Sequence, residues 1–506
     1  MERRGTSIAD SKTSPLSSEH ASPAGASDQS LIRSVAWNAA GDWLSQIFSW
    51  ASFVVVMRLL APADFGIAAM AVLLLPYLQQ ITSFGIPRAI VTLRDLSEEQ
   101  LAQLNTVSFA SGIATFGLAA AVARPFAAFF KTPRLAPVII VACVTLIPQG
   151  LQAVSSGSLA KQARFRLLSL FAAINALVAA GVTLGMALLG FGYWALIAGN
   201  LIGVTVRAAL VLRVQPCRLA WPHMDAIRRP IQFGWHVVVS LLAMNSYQRL
   251  DNLTAGRVLG RAALGFYGTA WDLANVPIEK VTSLVTNVVP TYLAAVQNDP
   301  AALRRYLRTL TETIALAAFP ATVGLSLVAR ELVPFVFGEK WLGMVPPLEV
   351  LSFYAALRSI VAILPKVLSS VGNVRFVMWN DLAALVILPI AFYIGSYRGT
   401  AGIAWSWVVA YPLIVVPLCR KTLQTIGMKF GEYLRTLRPA LDGTIAMILA
   451  VEWVKHSFSP ARSLLHRLVI EVAVGAVVYL GVLGLLHAQR MRVLIETARG
   501  VWRRRS

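Results

Sequence analysis

Seven charged side chains fall inside stretches that are otherwise apolar enough to cross a membrane: Asp42, Arg249, Asp251, Asp272, Glu279, Lys280 and Arg358. A charge at the centre of a bilayer costs about 2.5–3.5 kcal/mol or more, so such residues turn toward one another, toward water or toward a ligand. Three of the stretches also repeat polar residues at helical spacing. Asn245, Gln248, Arg249 and Asn252 stand at i, i+3, i+4 and i+7, on one face of a helix. Asp272, Asn275, Glu279, Ser283 and Thr286 share one face of the next helix. Asn38, Asp42, Ser45, Ser49 and Ser52 share a face of the first, with Gln46 beside them. Stripes of this kind predict the wall of a water-filled or ligand-filled cavity. Guanidinium groups, Arg249 foremost, suit phosphate oxygens, and amides and hydroxyls suit sugar hydroxyls. The carboxylates suit either hydroxyls or a coupling ion. Each charge also has a plain structural reading, as an internal ion pair or a helix-end group reaching the interface, and this weighs most for Asp251, Lys280 and Arg358. Glu279 and Lys280 are sequence neighbours, about 100° apart on a helix, and do not neutralise each other.

Other chemistry is missing from the sequence. Gly260 to Gly265 has the spacing of a P-loop but is followed by Phe266 rather than Lys and Ser/Thr. There is no HExxH, CxxC or GxSxG, and the six histidines show no metal-ligand spacing. Cys143, Cys217 and Cys419 are isolated and imply neither a disulfide framework nor a metal site. The chain is read as no enzyme and as needing no cofactor. Work would come from an ion gradient of protons or sodium, a membrane potential, or downhill removal of product.

The elements that must position these residues are membrane helices. The chain has 506 residues, of which 57% are apolar and 14% charged, where a soluble domain has about a quarter charged. Its mean hydropathy is +0.65. Apolar runs long enough to span about 30 Å recur fourteen times, near 33–57, 63–84, 103–123, 135–154, 167–189, 191–213, 231–253, 266–292, 310–329, 345–368, 377–396, 400–419, 438–454 and 467–487. Uninterrupted runs of this length exclude a barrel. The predicted fold is therefore an all-α polytopic membrane protein. The net charge of +21 is spread between apolar segments, which argues against nucleic acid and for the positive-inside rule. With an inside N-terminus, 30 of the 45 Lys and Arg fall on the inside and 12 on the outside, which predicts cytoplasmic termini. Residues 1–30 are polar, rich in Ser, Pro and Ala, and without the apolar core of a signal peptide, so they read as a disordered tail.

The chain also echoes itself. Arg58-LLAPADF-Gly66 is matched by Arg257-VLGRAAL-Gly265, Phe126–Pro137 by Phe335–Pro346, and Arg164-Phe165 by Arg375-Phe376, in order and on the same sides. The echoes predict two pseudo-repeated six-helix lobes, 31–215 and 231–421, joined by a cytoplasmic linker at 216–230. Two further helices in 422–490 and a basic tail at 491–506 follow, the tail suited to anionic lipid. The loop RDLSEEQLAQL (94–104) reads as an amphipathic segment lying on the membrane surface. Gly181/Gly185 and Gly199/Gly203 have the spacing of close helix packing. Pro277, Pro290, Pro320, Pro365, Pro389 and Pro412 predict kinks within spans.

RLLAPADFG (58–66) and RLDNLTAGRVLGRAALGFYGTAWDLANVP (249–277) resemble the polysaccharide transporter family of bacterial oligosaccharide-lipid flippases, in particular the colanic-acid and succinoglycan exporter type. The resemblance covers roughly residues 31–490. That family shares a superfamily with multidrug and toxin extrusion pumps and the lipid II flippase. It implies two six-helix lobes around a central cavity walled by spans one, two, seven and eight, in the inner membrane of a bacterium. It also implies a cargo: an oligosaccharide repeat unit on a polyprenyl pyrophosphate, destined for exopolysaccharide or lipopolysaccharide. Polysaccharide polymerase and chain-length proteins become candidate partners. Three readings compete: an ion-coupled drug or metabolite antiporter, a membrane-embedded polymerase or glycosyltransferase, and a scaffold of the export complex. Loops under about 30 residues weigh against the enzyme, and the polar stripes against the scaffold.

Overall fold

The computed structural model describes residues 46–93, 96–245, 249–286, 299–457 and 463–488; the side chains at 236–237, 239–245 and 280–286 fall outside that description. Every described element is helical. Ten segments among the described residues are long and apolar enough to cross a membrane: Pro62–Ser83, Glu98–Phe129, Leu135–Lys161, Phe165–Leu188, Tyr193–Val214, Pro300–Leu327, Glu339–Ser370, Val374–Ser396, Gly399–Thr425 and Leu464–Leu486. Four more helices occupy the remaining places where spans are predicted: Gln46–Leu59, Met224–Asn245, Arg261–Thr286 and Phe430–Ser457. The first is short as described. The others carry charged residues that lower their apolarity, such as Asp272 and Glu279.

Several helices end where the local sequence stops them. Within the predicted surface segment 94–104, the described residues from Ser97 onward belong to the start of a long helix. Ser97 Oγ accepts the Gln100 N–H (3.2 Å) and Gln100 Oε1 accepts the Ser97 N–H (2.9 Å), a capping box that starts the 32-residue helix Glu98–Phe129. Its first turns are held by the segment that precedes Met224–Asn245: the Asn105 amide donates to the Arg218 carbonyl and Thr106 Oγ1 to the Ala220 carbonyl. Pro277, Pro320, Pro389 and Pro412 sit inside continuous helices. Pro365 instead opens a separate helix, Leu364–Ser370, where its missing N–H costs nothing. Pro290 lies outside the described residues.

The glycine pairs divide. A β-carbon on Gly199 would press on Thr183 and Ala179, and one on Gly203 on Asn175 and Ala179, so this pair seats its helix on Phe165–Leu188. Gly181 and Gly185 face open space. The same four-residue spacing thus marks a packed face only where a neighbour is present.

The echoed segments meet each other. Gly66 packs on the Arg261 carbonyl and Gly265 on the Pro62 carbonyl, so Pro62–Val72 and Arg261–Thr286 cross with their backbones in contact. Arg58 donates to the carbonyls of Phe335 (2.5 Å) and Val336 (2.8 Å), while Arg257, its echo, lies 5.1 Å from the Phe129 ring. Trp341, fully buried, donates from Nε1 to the Met57 carbonyl (2.7 Å). The largest apolar core gathers residues from Val56 to Ile414 around this crossing. A side chain at Gly265 would drive the two backbones apart. Gly265→Leu should therefore lower unfolding stability by about 3 kcal/mol, while Gly481→Leu, with open space around it, should leave the thermal unfolding midpoint in detergent unchanged.

Candidate functional site

A cavity of about 540 Å³ opens between the helices that carry the polar stripes. Helix Gln46–Leu59 contributes Gln46, Ser49, Trp50 and Phe53. Arg261–Thr286 contributes Trp271, Asp272, Asn275 and Glu279, and Val345–Val361 contributes Arg358. Arg249 and Asn252 come from the end of the predicted seventh span. Met224–Asn245 covers its first part, Arg249 is the N-cap (φ −123°, ψ 5°) of the short helix Leu250–Thr254, and a π-helical turn, Ala255–Leu259, follows. Residues 246–248 lie outside the described residues, and Arg249 and Asn252 both reach the cavity.

Of the twelve candidate residues, Gln46, Arg249, Asn252, Asp272, Asn275, Glu279 and Arg358 line this one cavity. Asn38, Asp42 and Gln248 lie outside the described residues. Asn245 and Lys280 lie in described helices, but their side chains do not belong to the description.

Arg358 is held by neutral partners. Its Nη1 donates to Asn275 Oδ1 (2.6 Å), and its guanidinium lies 5.4 Å from the centre of the Trp271 ring. Among the described residues neither Arg249 nor Arg358 forms an ion pair. Two permanent cations thus face a polar cavity whose described lining also carries the carboxylates of Asp272 and Glu279, neither within ion-pair distance of them.

Asp251 points the other way and is fully buried. Its Oδ2 accepts from Tyr267 (2.9 Å) and Trp407 Nε1 (3.2 Å), and its Oδ1 from the Asn252 N–H (2.7 Å) and amide (3.1 Å). The Asn252 N–H is an orphan donor in the first turn of Leu250–Thr254, and the buried carboxylate satisfies it. Trp407 stacks on Tyr354 (5.0 Å) and lies 5.3 Å from Trp271, on which Arg358 rests.

Residues 55–346, more than half of the chain, match the family described as polysaccharide biosynthesis protein. The chain belongs to that family. It is 22% identical over 427 residues to the lipopolysaccharide biosynthesis protein WzxC of Escherichia coli (strain K12), covering 81% of this chain and 84% of that protein. It is 22% identical over 480 residues to the succinoglycan biosynthesis transport protein ExoT of Rhizobium meliloti (strain 1021), covering 93% and 96%. Its fold is similar to that of the lipid II flippase MurJ in an inward closed conformation, with a TM-score of 0.72, 14% identity, and 90% and 99% of the two chains covered. The protein is thus a multi-pass membrane protein of a polysaccharide biosynthesis transport family, not an enzyme.

The transporter's cavity has one feature the polar stripes did not announce, its aromatic wall of Trp50, Phe53 and Trp271. The signal was available: Trp50 stands four residues after Gln46 and Trp271 four before Asn275, on the same helix faces. The Asp251 network yields a stability prediction. Asp251→Ala leaves the Tyr267 hydroxyl and the Asn252 N–H without acceptors, at about 1–3 kcal/mol each. The variant should unfold at a clearly lower temperature, and Asp251→Asn, which keeps one acceptor oxygen, should fall between it and the parent.

Proposed function

We propose that this transporter flips a polyprenyl-pyrophosphate-linked oligosaccharide repeat unit across the bacterial cytoplasmic membrane by alternating access. One observation carries the reading: a polar cavity and an apolar groove share the residues Leu273 and Val276. The groove, about 600 Å³, runs between Arg261–Thr286, Pro300–Leu327 and the last two helices, lined by Leu316, Pro320, Met447, Val472 and Tyr479. A cargo with a polar head and an apolar tail fits this pair of neighbouring solvents. The pyrophosphate suits Arg249 and Arg358, the sugar hydroxyls suit Asn252, Asn275 and Gln46, and Trp50 and Trp271 offer flat apolar faces to the sugar rings. The polyprenyl tail takes the groove.

On this reading the chain spans the membrane fourteen times as two six-helix lobes and two further helices, with both termini in the cytoplasm. The polymerase that consumes the unit would meet it on the far side. Reporter fusions after Arg213 and after Arg490 should both report the cytoplasm; a periplasmic signal at either point rejects the topology.

Arg249→Glu should abolish polysaccharide export at normal protein levels and leave polyprenyl-linked repeat units accumulating on the cytoplasmic side. Arg249→Lys should keep partial activity, since losing the planar fork forfeits a charge-assisted contact of about 1.5–3 kcal/mol, roughly ten- to hundredfold. Ala476→Trp, which fills the groove, should reduce export, whereas Ala473→Trp, on the same helix but not in the groove lining, should not. If loss of the protein instead sensitised cells to cationic drugs and left lipid-linked intermediates at normal levels, an antiporter reading would replace this one.

A further inference from the structure

A second polar cavity, of about 490 Å³, lies apart from the first, where the short helix Ala329–Phe337 meets the last two helices. Its wall carries Arg330, Glu331, Glu349, Glu452, Lys455 and Arg467, with His456 at the rim. Leu327 belongs both to this wall and to the apolar groove. Glu471, one helical turn beyond Arg467, continues the charged line into the groove.

The ion pairs are unequal. Arg330 Nε donates to Glu349 Oε1 at 2.8 Å, and Lys455 Nζ lies 3.7 Å from Glu452 Oε1 while also donating to the Leu327 carbonyl. Both of those carboxylates sit at the exposed side of the cluster. Deeper in, Arg467 Nη2 donates to Glu331 Oε1 at 2.9 Å. Glu331 and Glu471 are only 4% and 2% exposed, and the Oε2 atom of each has no hydrogen-bond partner among the described residues. Four carboxylates thus face three permanent cations. The excess negative charge falls on the deep pair, where the guanidinium of Arg467 is bound to Glu331.

We propose that Glu471 is a proton-binding site, set beside the Glu331–Arg467 ion pair. A buried carboxylate with an unsatisfied oxygen is costly, and one proton removes the surplus charge while adding the missing donor. Sodium fits less well, because a hard cation takes several oxygen ligands. Here it would find two free carboxylate oxygens beside Arg467 and Lys455. His456 donates from Nδ1 to the Glu452 carbonyl (2.9 Å) and faces the exposed end.

The placement gives the proton a consequence. Arg467 and Glu471 ride on Leu464–Leu486, a wall of the groove, and Glu331 on the helix beside it. With the proton bound, the two carboxyl groups tolerate each other and the helix stays docked. With it lost, they repel and the groove wall is loosened. That this gates a lipid tail rests on the flippase reading; the proton site itself does not.

The test uses the full chain in lipid vesicles, with infrared difference spectra between mildly acidic and mildly alkaline buffer. The parent should show a protonated-carboxyl band that disappears in Glu471→Gln, which removes the carboxyl, and also in Glu331→Gln, which removes the neighbouring negative charge and frees Arg467 for Glu471. Two isosteric variants, each checked for monodispersity, guard against misfolding of one. A band that persists in either variant would overturn the site. So would a spectral change driven by exchanging choline for sodium at fixed pH and lost in the variants. No cargo enters this readout, so its failure is separate from failure of the export experiments.

Discussion

The interaction on which the rest of the structure depends is the set of four hydrogen bonds that end on Asp251. A helix start buried inside a membrane protein exposes backbone donors that no water can satisfy. Here the carboxylate of the helix's own first turn accepts one of them, and its remaining capacity is filled by Tyr267 and Trp407. One side chain therefore ties Leu250–Thr254 to Arg261–Thr286 and to Gly399–Thr425. Because the first turn is held this way, Arg249 can stand at a helix start and face the cavity. The ring cluster extends the tie outward, from Trp407 to Trp271 and on to Arg358.

A second constraint is the meeting of two environments along a single helix. Arg261–Thr286 presents Asp272, Asn275 and Glu279 to the polar cavity and Pro277 to the apolar groove, with Leu273 and Val276 between them. An amphipathic helix in water divides core from solvent. This one divides a polar-lined cavity from an apolar groove inside the same bundle. The crossing of Gly66 and Gly265 sits at the N-terminal end of the same helix and fixes where it meets Pro62–Val72.

What the sequence by itself determined is whatever depends on residues near one another along the chain. Hydropathy over about twenty residues marks a membrane helix whatever surrounds it, and the ten qualifying segments lie where the apolar runs predict them. The family was legible in 58–66 and 249–277. Helical periodicity likewise put Asp272, Asn275 and Glu279 on one face without any knowledge of neighbours. What only the tertiary structure decided is which faces meet. Gly181/Gly185 and Gly199/Gly203 are alike in sequence, yet only one pair has a helix against it. Asp251 and Asp272 are both acids at membrane depth, but one satisfies a helix's first turn and the other lines a cavity. Arg358 reaches Asn275, and Glu331 reaches Arg467, across separations that no local pattern encodes. Periodicity specifies a direction from a helix axis; what stands in that direction is set by packing alone.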